Sequence, residues 1–110
     1  MADNYNIYAP WTASASVAGA VGASVSQAGA TGEKLVVTDF SATGDLTTLC
    51  TIESPAGTIL WRGRNPSSGA YVIHLEPGVL VAATNTAVVG RLAAATASSE
   101  VSIGGFKVKG

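Results

Sequence analysis

Glycine punctuates this chain too often for helices. Its 13 glycines fall so that no segment offers about ten residues of helical periodicity without one, and each glycine within a helix costs about 1 kcal/mol relative to alanine. The constraint is sharpest between Asn4 and Gly32, a stretch with no charged residue. Its later part reads SASVAGAVGASVSQAGATG, residues 14–32. A membrane helix needs about 20 predominantly apolar residues, yet the bulky apolar side chains here are Val17, Val21 and Val25 alone. In an extended chain those positions share one face, because side chains alternate with period two. We expect two short strands, or one strand with a glycine kink, ending at the turn around Gly29 to Gly32. The alternative is a flexible linker rich in Gly, Ala and Ser.

The rest of the chain reads as strands parted by turns. EKLVVTDFSA (33–42) is rich in β-branched and aromatic residues. LTTLCTIE (46–53) alternates Leu46, Thr48, Cys50 and Ile52 against Thr47, Leu49, Thr51 and Glu53. SPAG (54–57) supplies Pro and Gly for a turn into GTILWRG (57–63), which completes a hairpin. RNPSSG (64–69) is a loop by composition. AYVIHL (70–75) sets Tyr71, Ile73 and Leu75 against Val72 and His74, and EPG (76–78) stops it. VLVA (79–82), AVVGRLAAA (87–95) and SEVSIGGFKV (99–108) follow, the last with a change of phase at Gly104-Gly105 that points to a β-bulge. The pattern predicts an all-β fold: an antiparallel β-sandwich or jelly roll of about seven to eight short strands.

A chain of 110 residues is one domain of ordinary size. Hydrophobic residues make up 47% but aromatics only 6%, so the core is built largely from small side chains. Such a core is thin, which favours oligomerisation as added burial. A net charge of −1 and the lack of any run of like charge argue against nucleic acid or an anionic membrane as partner. The single cysteine, Cys50, allows no disulfide within the chain. The N-terminal MADNYNIYAPW has neither the basic region nor the apolar region of a secretion signal, so a protein made and kept without export is expected.

Few groups suit catalysis. His74, with Glu76 two positions later, is the one candidate general base, and no activated nucleophile accompanies it; a half-exposed strand histidine is the simpler reading. Cys50 among apolar neighbours reads as a small hydrophobe. One His and one Cys do not make a usual zinc site, and the carboxylates Asp39, Asp45, Glu53, Glu76 and Glu100 spell no calcium loop. No enzyme, no metal and no cofactor is expected.

Two features point to partner recognition. WRGRN (61–65) places Trp61, Arg62 and Arg64 beside a loop, where arginine next to an aromatic suits planar hydrogen bonding and stacking. The plainer reading is a core tryptophan followed by solvated arginines. NYNIYAPW (4–11) concentrates Tyr5, Ile7, Tyr8 and Trp11 ahead of the sheet, with Pro10 favouring an extended Ala9. These four are candidate anchors of an extended arm over residues 1–15, ahead of a domain at 16–110; the alternative is an arm folded back onto its own sheet.

The order GASVSQAGATGEKLVVTDFSA, TIESPAGTILWRG, HLEPGVLVAATNTAVVGRLAA and VSIGGFKV resembles a group of small structural proteins of tailed bacteriophages, the trimeric head-decoration or cement proteins. The likeness rests on Gly57, Thr58, Leu60, Trp61 and Arg62, on Pro77 with Leu80, on the ATNTA turn at Ala83 to Ala87, and on Gly105 with Phe106. It spans about Gly22 to Val108 and leaves the N-terminal arm uncovered. The resemblance implies a jelly-roll sandwich that forms a homotrimer and binds the major capsid protein on the outer surface of the assembled virion head, after synthesis in the host cytoplasm. It assigns no capsid-contact residues. The alternative function is a carbohydrate-binding or receptor-binding module of a phage tail or fibre, with Trp61 and Tyr71 presented on an exposed sheet face.

Overall fold

A computed structural model describes residues 9–19, 21–29, 31–65, 70–75, 80–95 and 98–109. Among these it holds nine strands and no helix: β1 (Ala9–Ala18), β2 (Ser24–Gln27), β3 (Glu33–Gly44), β4 (Thr48–Glu53), β5 (Ile59–Asn65), β6 (Ala70–His74), β7 (Leu80–Val81), β8 (Val88–Leu92) and β9 (Ser98–Lys109). They form two antiparallel sheets. The first runs β1-β9-β3-β6, with β7 also paired to β3, and the second runs β2-β8-β4-β5.

The core lies between the sheets. Leu35, Val37, Phe40 and Ala42 of β3 and Val101 and Ile103 of β9 meet Cys50 and Ile52 of β4 and Val88 and Leu92 of β8. Burying a side chain of the size of Phe40 or Ile52 contributes about 1.5–3 kcal/mol. Phe40 also joins Trp61 and Tyr71 in an aromatic cluster, with ring centroids at 6.2 and 6.5 Å. Trp61 of β5 stacks on Tyr71 of β6 at 5.6 Å. Because β5 and β6 end their respective sheets, this stack ties the two sheets together along one side of the sandwich.

The bulge anticipated at Gly104-Gly105 sits instead on the neighbouring strand. Val37 pairs with Gly105 and Asp39 with Gly104, so Thr38 is the extra residue. β9 itself pairs with β1 without interruption. The extra residue switches the inward phase of β3 from Leu35 and Val37 to Phe40 and Ala42, and the N–H of Leu75 donates to the Thr38 carbonyl at 2.6 Å. Gly105 is needed because the Val36 backbone closes up against it there.

The stretch at residues 14–32 divides between the two sheets. β1 ends at Ala18, just before Gly19 with its φ of 127°, and β2 begins at Ser24. Val17 and Val25 both pack against the core, but from strands of opposite sheets and not from one strand face. Val21 lies in the connection between them and is 64% exposed. The sheet also begins earlier than expected. Residues 9–15, assigned by sequence to the arm, belong to β1, and Trp11 is buried with its indole N–H donating to the Phe106 carbonyl at 3.1 Å. Tyr5, Ile7 and Tyr8 lie outside the described residues.

A β-carbon at Gly105 would run into the carbonyl oxygen of Val36, whereas one at Gly104 would approach the Thr12 methyl and the Trp11 carbonyl at 3.2 Å. Gly105→Ala is therefore expected to cost at least about 3 kcal/mol and Gly104→Ala about 1 kcal/mol. Urea unfolding of the two variants checks this; equal costs would disprove the backbone-contact explanation.

Candidate interaction surface

Strand alternation separates the residues of WRGRN. Trp61 points inward onto Tyr71 and Phe40, while Arg62 and Arg64 point outward from the second sheet. Trp61 and Tyr71 thus pack against the core and form no flat aromatic platform on an outer face. Burial pushes the Tyr71 phenol pKa up, with a smaller contribution from Cys50. A methyl group at Gly63 would come within 2.6 Å of both the Trp61 ring and the Tyr71 hydroxyl, so the glycine between the two arginines makes room for the stack.

Outside, Arg62 lies opposite Thr51 and Thr51 opposite Arg91, while Arg64 lies opposite Leu49. All three arginines of the chain therefore share the outer face of the second sheet. They differ in employment. Arg91 donates through Nε to Glu53 Oε2 at 3.0 Å and through Nη2 to Oε1 at 3.4 Å. Arg62 and Arg64 are exposed, with no ion-pair partner among the described residues. The neighbouring Ile59 and Leu60 are 41% and 36% exposed, so β5 offers two free guanidinium groups beside an apolar step. The register slips between β4 and β5 at this step, with Ile52 opposite Trp61 and Glu53 opposite Ile59.

Glu53 is buried on what would otherwise be an outward position, because the turn after β4 folds over it. The Gly57 N–H donates to its Oε1 at 2.8 Å and the Thr51 hydroxyl to its Oε2 at 2.7 Å. Ser54 anchors the same turn, donating from its hydroxyl to the Ala87 carbonyl at 2.6 Å. Burial alone would raise the pKa of Glu53; the hydrogen bonds from Thr51, Gly57 and Arg91 and the charge of Arg91 outweigh it and lower the value from 4.5 to about 2. Sequence reading passed over this cluster, although Thr51 and Glu53 at i and i+2 share a strand face and carried a usable signal.

The outer face of the first sheet carries hydroxyls and carboxylates. Ser14, Ser102 and Ser41 align across β1, β9 and β3, as do Ser16, Glu100 and Thr43. A shallow cleft of about 380 Å³ lies over these residues, and another of about 210 Å³ over Thr12, Asp39, Val72 and His74. His74 meets Asp39: its Nδ1 lies 2.5 Å from Asp39 Oδ1, and the other carboxylate oxygen accepts from the Thr38 hydroxyl at 2.9 Å; Glu76, the neighbour considered from sequence, lies outside the described residues. The pair is largely exposed, and no serine or threonine hydroxyl is bonded to His74 among the described residues. Cys50 is buried on the inner face of β4. Among the described residues, no three of His, Cys, Asp and Glu gather as metal ligands would. Among the described residues, no helix is long and apolar enough to cross a membrane.

No protein-family model matches the chain, and no curated protein matches it either.

Trp61 and its arginine neighbours should separate in a stability test. Trp61→Ala is expected to cost about 3 kcal/mol or more, and Arg62→Ala and Arg64→Ala less than about 0.5 kcal/mol each, measured by urea unfolding.

The lowered Glu53 pKa makes a second test. A carboxyl held at about 2 in the folded chain and at 4.5 when unfolded contributes about 3 kcal/mol of stability above pH 4.5, lost as the pH falls toward 2. Glu53→Gln should flatten the stability–pH curve over that window, and a curve unchanged from wild type would show that the carboxylate is not held as described.

Proposed function

We propose that this chain is a non-enzymatic virion protein, a capsid decoration protein that binds the outer surface of an assembled phage head as a homotrimer and stabilises it. The observation that carries the reading is the strand order. With the two-residue β7 set aside, eight strands interleave as β1-β9-β3-β6 and β2-β8-β4-β5. Such an interleaving supports a jelly roll, an architecture shared by viral capsid and lectin domains. Between those two classes, the inward-turned Trp61 and Tyr71 favour the virion, because a sugar site needs rings presented to solvent.

In this reading Arg62 and Arg64 meet carboxylates of the major capsid protein, with Ile59 and Leu60 as the apolar part of the contact. Trp11 holds β1 to its own sheet, and Tyr5, Ile7 and Tyr8 are the arm's remaining candidates for capsid pockets. Trimer lobes clamp neighbouring capsid subunits and add burial that resists expansion of the head.

Purified protein should have a solution mass of three times 10.9 kDa, or a multiple of that trimer, and should cosediment with heads of the virus that encodes it. Arg62→Ala/Arg64→Ala is expected to weaken that binding at least tenfold while lowering stability by less than about 1 kcal/mol. Undiminished binding by the double variant would remove the arginines from the interface, and failure of the wild type to bind would sink the decoration reading.

A further inference from the structure

The four lateral edges of the sandwich are not equally protected. An edge strand presents unpaired N–H and C=O groups, and folded proteins shield it by brevity, charge or a bulge. β2 has four residues and β7 two. β6 has five and carries His74, while β5 carries Arg62 and Arg64 and a break in register. β1 is different. It has ten residues, no charge and no bulge, and β9 is its only strand partner among the described residues. Its one protective residue is Pro10, near the start.

The sequence of β1 also reads alike in both directions. Around Ser14 it runs Thr12, Ala13, Ser14, Ala15, Ser16. The hydroxyl residues at 12, 14 and 16 are exposed, and Ala13, Ala15 and Val17 are half-buried. An antiparallel copy centred on Ser14 sets Ser14 opposite Ser14, Thr12 opposite Ser16, Ala13 opposite Ala15 and Trp11 opposite Val17. Hydroxyls then face hydroxyls on the outer face, small apolar groups meet on the inner one, and no like charges oppose each other. This symmetry selects a second copy of the same chain over a foreign strand.

We propose that β1 is the contact for a second copy of this chain, the two strands pairing antiparallel about a twofold axis through Ser14 and joining their first sheets into one. The serine row across β1, β9 and β3 then continues into the partner. The pairing needs nothing but this chain and does not rest on capsid binding. On a head surface it would link neighbouring trimers across twofold axes.

The test is the mass of the full chain by light scattering across a wide concentration range. Ser14→Lys places two ammonium groups face to face on the axis, and Ser14→Asp two carboxylates. Each variant alone is expected to halve the wild-type assembly mass, and an equimolar mixture to restore it. The halving is read as a ratio, so it stands whether the wild type is built from trimers or not. Circular dichroism and tryptophan emission establish that both variants fold. Should either fail to fold, Ser14→Cys supplies the second measurement: it should cross-link on mild oxidation, and Ser16→Cys, four positions from its own copy in this register, should not. Variants that keep the wild-type mass, cross-linking at position 16 as readily as at 14, or a wild type monomeric throughout would each overturn the proposal. The last would leave the edge to a strand of another protein or to residues 1–8.

Discussion

The sandwich depends on one extra residue in its central strand. β3 lies between β9 on one side and β6 and β7 on the other, and it supplies both ends of the core. With strict alternation, a strand that buries Leu35 and Val37 would bury Asp39 and Ser41 next, leaving Phe40 and Ala42 in water. The bulge at Thr38 resolves that conflict by moving Asp39 outside and Phe40 inside. Phe40 can then meet Trp61 and Tyr71, and Asp39 can meet His74. Both the closure of one side of the sandwich and the polar character of the outer face follow from that shift.

A core of small side chains leaves much of the remaining organisation to polar contacts. The Ser99 hydroxyl accepts from the Ala23 N–H at 2.9 Å and donates to the Val21 carbonyl at 3.2 Å, binding the β1–β2 connection to β9. Asn85, with φ of 63°, accepts from the Gly32 N–H through its side chain and donates its own N–H to the Glu33 carbonyl, joining the turn before β8 to the start of β3. Glu53 does the same for the β4–β5 turn. At the buried sites, Ser99 and Glu53, loss of the side chain would leave a donor or acceptor unmatched, which costs more than the bond itself contributes. These contacts leave Arg62 and Arg64 free to act outward, because Glu53 is already engaged by Arg91.

Much of the fold was legible in the chain. Period-two alternation located the strands after Gly32, and it put Tyr71, Ile73 and Leu75 on one face and Val72 and His74 on the other, as the structure has them. The shift near Gly104 was visible as a break in phase, although it was attributed to β9 when the extra residue is Thr38. The start of the sheet was not legible. The aromatic residues of NYNIYAPW suggested an arm, with a fold back onto its own sheet as the alternative, and the burial of Trp11 by β9 depends on a strand about ninety residues away. The candidate surface was half visible: WRGRN was singled out, but whether its rings and charges act together is a question of strand phase relative to the second sheet.

By itself the sequence determined that this chain is all-β. Glycine spacing forbids long helices, and alternation with turn residues leaves strands as the remaining way to bury its apolar side chains. It also determined that few groups are suited to chemistry. Tertiary structure alone decided which strands neighbour one another, that Trp61 and Tyr71 turn inward while Arg62 and Arg64 turn outward, that His74 meets Asp39, and that β9 is the one strand paired with β1 among the described residues. The physical reason is the range of the interactions. Local steric preference and period-two patterning act within a few residues and can be read along the chain, whereas register, edge and pairing are set by contacts between segments that the sequence keeps far apart.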